Sequence, residues 1–147
     1  MKDSGEVDDL FNLERFVRAQ ESDYEQALSE IRNGQKRSHW MWYIFPQIDG
    51  LGFSEMSRRY AIKSPAEARA YLEHTVLGPR LMACVEALLS LHDRSAEEIF
   101  RFPDDKKLRS SATLFASVSP PDSVFHRLLA NYFQGERDPA TLRRLAV

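Results

Sequence analysis

At 147 residues the chain has the length of one ordinary domain, long enough to bury a core without staples. Its 43% hydrophobic and 29% charged residues are the balance of a soluble globular protein. No apolar run approaches the ~20 residues that span a bilayer, and the acidic opening MKDSGEVDDL lacks the apolar stretch of a signal peptide. A single cysteine, Cys84, excludes an internal disulfide and fits a reducing compartment. The expectation is a cytoplasmic, single-domain protein over residues 1–147, loose over residues 1–7.

A net charge of −2 argues against a general nucleic-acid binder, but the charge is uneven. Residues 1–31 carry a balance of −6, and residues 32–63 a balance of +4. The basic block surrounds an aromatic cluster, which suits an anionic ligand. Pairing with the acidic N-terminal helices explains it equally.

Periodicity is helical nearly throughout. Leu13, Phe16, Val17 and Gln20 share one helical face, and Tyr24, Ala27, Leu28 and Ile31 the next. Asn33-Gly34 reads as a helix stop, because glycine takes the left-handed conformation at little cost. Within Lys36 to Ser54, KRSHWMWYIFPQIDGLGFS, the run WMWYIF is apolar on every face. A helix capped by Ser38 and ended by Pro46 fits better than a strand, for which the chain offers no partners.

Ser64-Pro65-Ala66-Glu67 and Ser95 with Glu98 have capping-box spacing. The helix between them carries Leu81, Cys84, Val85, Leu88 and Leu91. Asp104 or Asp105 can open the next, with an apolar stripe of Leu108, Ala112 and Phe115. Asp122 can open one holding Phe125, Leu128, Leu129 and Tyr132, and Asp138-Pro139 a short last one. The pattern predicts an all-α, single compact domain of about seven or eight short helices.

These residues also carry a resemblance. RFVRAQ (Arg15 to Gln20), GQKRSHWMWYIFPQIDGLGFS (Gly34 to Ser54), EARAYLEHTVLGPRL (Glu67 to Leu81), PDDKKLRSSATLF (Pro103 to Phe115) and YFQGERDPATLRRL (Tyr132 to Leu145) resemble the bacterial proteins grouped as domain of unknown function eighteen-ten. The resemblance covers nearly the whole chain in order and implies a mainly helical fold, but no activity. Ala112 stands where that family usually has methionine. The label "calpastatin" often attached to its members is not inherited: calpastatin works through disordered segments, and this chain is rich in core-forming residues.

Chemistry, if present, belongs to a few places. Lys36 and Arg37 beside a helix start at Ser38 and His39 would make an anion site, since helix N–H groups and cations add. A surface turn is the plain alternative, and His39 can equally be a proton-transfer group or a cap residue. Trp40 and Trp42 cannot share a helical face, so one can be core while the other stacks a base or sugar at a rim. Gly50 and Gly52 before Ser54 can turn backbone N–H groups toward a phosphate, or form an ordinary turn. Lys107, Ser110 and Ser111 are helical neighbours and Thr113 lies on the opposite flank; these hydroxyls can bind a ligand or a backbone carbonyl. Gln20 on an apolar stripe, with Arg15 and Gln47, can orient a polar guest or bond within the fold.

The four histidines share no metal-ligand spacing, so neither metal nor cofactor is implied. No groups are spaced to compel a reaction. The expected function is binding of an anionic, nucleotide- or sugar-phosphate-like molecule where residues 36–54 meet 107–113. The alternative is a protein-interaction module using the aromatic segment 39–53.

Overall fold

Helix α1 (Glu14–Glu21) begins a chain of short helices whose ends are set by local chemistry. A computed structural model describes residues 9–146, and the expectation of a loose segment at 1–7 lies outside them. There follow α2 (Tyr24–Arg32), α3 (Met41–Ile44), α4 (Glu55–Arg59), α5 (Pro65–Glu73), α6 (Leu77–Leu89), α7 (Ala96–Phe100), α8 (Asp104–Ala116), α9 (Val124–Phe133) and α10 (Pro139–Leu145). The fold is all-α, with ten helices among the described residues against the expected seven or eight, and the expected helix in WMWYIF is a single turn, α3. The nearest approach to a sheet is a parallel bridge between Ile48 and Ile62.

Ser54, Ser64, Ser95 and Asp138 each cap a helix by accepting the N–H three residues on. At Ser95 the reciprocal bond from its own N–H to Glu98 completes the box at 2.8 Å. Two of the expected caps on the C-terminal half fail. Ser123, not Asp122, caps α9, because the extended backbone that a cap needs falls one residue later. Pro103 precedes α8 with no side-chain cap, which frees Asp104 for lysines.

Helix α8 is the central element, packed against α5, α7, α9 and α10. Its expected one-sided stripe proves incomplete: Leu108 and every residue from Ser110 to Ala116 are buried. Small side chains at Ser110, Ser111, Ala112, Thr113 and Ala116 let neighbours approach on all sides. Around it the core gathers Phe16, Ile31, Trp40, Phe45, Ile62, Tyr71, Leu81, Leu88, Ile99 and Phe115. Helix α6 packs on α2, α5 and α9 and closes the other side.

Two buried polar clamps join distant segments. The Arg15 guanidinium donates to the carbonyls of Phe11, Asn12, Arg59 and Ala61 and to Glu67 at 2.9 Å, tying α1 to the bridge region and α5. Gln20 donates to the Tyr43 carbonyl at 2.8 Å and to the Tyr71 hydroxyl at 3.0 Å, and its oxygen accepts from Arg80. Both side chains are therefore engaged within the fold.

Candidate functional site

The segment expected to hold an anion does hold one, supplied by the protein. Glu30 on α2 is 3% exposed. One carboxylate oxygen accepts from the N–H groups of Arg37 and Ser38 and from the Trp40 indole; the other accepts from the Ser38 hydroxyl and Gln26. Ser38 therefore does not cap α3, which starts at Met41 with no side-chain cap. Burial alone would push the Glu30 carboxyl up, but the bonds from Ser38, Gln26, Arg37 and Trp40 together hold it down, at about 2. No cation among the described residues takes part.

Lys36 points elsewhere. Its ammonium pairs with Asp104 at 2.8 Å and lies 4.9 Å from the Trp40 ring, with 8% of the side chain exposed. Lys107 meets the other oxygen of Asp104 at 3.4 Å and lies 5.2 Å from the Trp42 ring. One carboxylate thus bridges two lysines, each seated over its own tryptophan. This unit joins residues 36–42 to α8, the juncture the sequence singled out. Arg37 and His39 are exposed beside it.

The two tryptophans divide as their spacing requires. Trp40 is core, and Trp42 is half-buried at the wall of a shallow cleft. Trp42, Gln47, Gly50, Gly52, Ser57 and Tyr60 line this cleft, which is open to solvent. Four expected site residues therefore meet: Trp42, Gln47, Gly50 and Gly52. Ser54 stands just outside as the cap of α4, its hydroxyl accepting the Ser57 N–H and donating to the Ser57 hydroxyl.

Ser110, Ser111 and Thr113 do not line the cleft. Ser110 donates to the Asp138 carboxylate at 3.1 Å, and Thr113 accepts the Asp138 N–H at 2.9 Å while donating to the Arg109 carbonyl. They hold the start of α10 against α8. Ser111 is 1% exposed within the core.

Three residues at the site escaped the sequence reading. Glu30 lies at i+3 from buried Ala27, which was a usable signal. Asp104 was read as a cap. Arg144 had no signal, since it meets the Asp49 carbonyl from 95 positions away.

Reactive groups elsewhere are structural. Cys84 is buried, which pushes its thiol up to about 12 and leaves it un-ionised at neutral pH. Ser123 and His126 touch at 2.8 Å, but as cap and first-turn residue of α9. Among the described residues no group of three or more His, Cys, Asp or Glu is placed to hold a metal. No helix there is long and apolar enough to cross a membrane.

An all-α fold with a buried carboxylate cage and a tryptophan-walled cleft is a specific arrangement. The chain belongs to the family described as protein of unknown function (DUF1810), which it matches over residues 10–145. It is also similar to a solved structure, the conserved hypothetical protein Rv1873 from Mycobacterium tuberculosis. The two share 50% identity over 95% of this chain and 99% of that one, with a TM-score of 0.92. No curated protein matches the chain.

Proposed function

We propose that the cleft binds a small anionic molecule with a ring face, of the nucleotide or sugar-phosphate type. One observation carries this: Trp42, Gln47 and the glycine turn share one wall-to-wall cleft, with the Lys107 ammonium beside Trp42. Trp42 offers a stacking face, Lys107 a charge only half balanced by Asp104, and the Gln47 side chain makes no hydrogen bond among the described residues, leaving its amide for a guest. Lys36 and Arg37, expected to hold the anion, serve instead in the ion pair with Asp104 and the backbone cage around Glu30.

A thermal-denaturation series against nucleoside monophosphates and sugar phosphates tests this. At 100 times its dissociation constant a true ligand stabilises by ~2.7 kcal/mol, and Trp42→Ala or Lys107→Ala should remove most of the shift. No shift with any of these compounds would remove the reading.

A second reading has its own support. Phe53 and Phe102 are 81% and 72% exposed, large apolar groups of the sort that contact a partner protein. Under this reading Phe53→Ser with Phe102→Ser abolishes association with that partner and leaves ligand shifts unchanged.

A further inference from the structure

The geometry points to Arg144 as the residue that grips the ligand's anionic group, and to a phosphate monoester as that group. This rests on the cleft reading above and adds a residue and a chemistry to it.

Arg144 lies in the last turn of α10, where the helix dipole favours a cation. Its Nε donates to the Asp49 carbonyl at 3.1 Å. The guanidinium lies so close over Gly50 that a Cβ there would fall 2.4 Å from Cζ and from Nη2. Gly50, at φ +99°, is also where an L side chain would be strained. Gly50 lines the cleft, so the exposed guanidinium rests against a wall residue from outside the lining set.

One nitrogen fixes the plane of the group, and the other two are left over. Among the described residues neither terminal nitrogen has a hydrogen bond and no carboxylate lies within 4.0 Å, although Asp49 is the residue it touches. Two parallel N–H groups held in a fixed fork match two oxygens of a phosphate, a match that a lysine cannot offer.

The helix that carries Arg144 is itself fastened. Asp138 accepts from the Thr141 N–H at 3.0 Å and from the hydroxyls of Thr141 and Ser110, while Thr113 accepts the Asp138 N–H. Arg109 adds bonds to the carbonyls of Glu136 and Arg137. Ser110 and Thr113 thus act on the cleft at one remove, as positioning residues for α10.

The test titrates adenosine 5′-monophosphate and adenosine into the wild type and into Arg144→Gln and Arg144→Lys, read by calorimetry. Arg144→Gln should weaken the monophosphate at least ~10-fold, the loss of one charge-assisted contact, and leave adenosine unchanged. Arg144→Lys should fall between, because it keeps the charge and loses the fork. Unliganded melting temperatures establish that each variant is folded. Equal monophosphate affinity in wild type and Arg144→Gln would overturn the role of Arg144 alone. A wild type that binds neither adenosine monophosphate nor ribose 5-phosphate would overturn the cleft reading, and this inference with it.

Discussion

The Trp40 indole donates to the Glu30 carboxylate at 2.8 Å, inside the core and with no cation in the set. The charge is held by dipoles alone, four other donors sharing it. Such a group ties stability to pH. The folded carboxyl sits at about 2, below its ordinary 4.5. Its contribution is therefore complete above about 4.5 and is lost as pH falls toward about 2. The shift corresponds to roughly 3 kcal/mol. Urea unfolding between pH 7 and pH 2.5 should show that loss in the wild type. Glu30→Gln should cost ~2–4 kcal/mol at pH 7 and flatten this part of the pH dependence.

Arg15 and Glu67, unlike Glu30 and its donors, form an ion pair, with 15% and 1% of their side chains exposed. Arg15→Met strands the Glu67 charge with the Lys63 N–H as its remaining donor and should destabilise by ~3–5 kcal/mol. Arg15→Met with Glu67→Leu should cost less than Arg15→Met alone, since no charge is stranded. It should not return to wild type, because four carbonyls still lose the guanidinium. A double-mutant cycle by chemical denaturation measures both.

Gly78, in the first turn of α6, packs on the end of α5. A Cβ there would fall 2.2 Å from the Leu72 carbonyl oxygen. Gly78→Ala should lower stability by ~2 kcal/mol or more despite alanine's better helix propensity. A fall in melting temperature is the readout, and an unchanged or raised value would refute the contact.

Acrylamide quenching of tryptophan fluorescence should resolve two populations. Trp42, half-buried at the cleft, should account for the quenchable part, and Trp40, 1% exposed, for the rest. Trp42→Phe should leave a nearly unquenchable protein. Trp40→Phe should leave a quenchable one that is less stable by ~1–3 kcal/mol, because Glu30 loses a donor.

What the sequence disclosed was local. Caps such as Ser54, Ser64 and Asp138 were legible because donor and acceptor lie three residues apart. Ser38 has the same chemistry but a partner eight positions upstream, which no spacing rule reaches. The family and the helical class were legible from motifs that run nearly end to end. Of the site, the division between Trp40 and Trp42 followed from two-residue spacing, but which one faces outward did not. Lys36 and Lys107 were seen as charges; the carboxylate between them had been read as a helix start. The sequence offers the hydroxyls of Ser110 and Thr113 to a ligand or a backbone carbonyl; the structure bonds both to Asp138, a cap on another helix that no spacing pairs with them.

The contact between Arg144 and the Asp49 carbonyl spans 95 positions, and this sets an order of events. A chain made from its N-terminus exposes the glycine turn long before the guanidinium that rests on it has been synthesised. Closing so long a loop is entropically slow and rewards nothing until its end arrives. The guanidinium can reach Gly50 only once α8 has given α10 a surface to land on. A nascent chain on the ribosome carries the glycine turn without the arginine that rests on it.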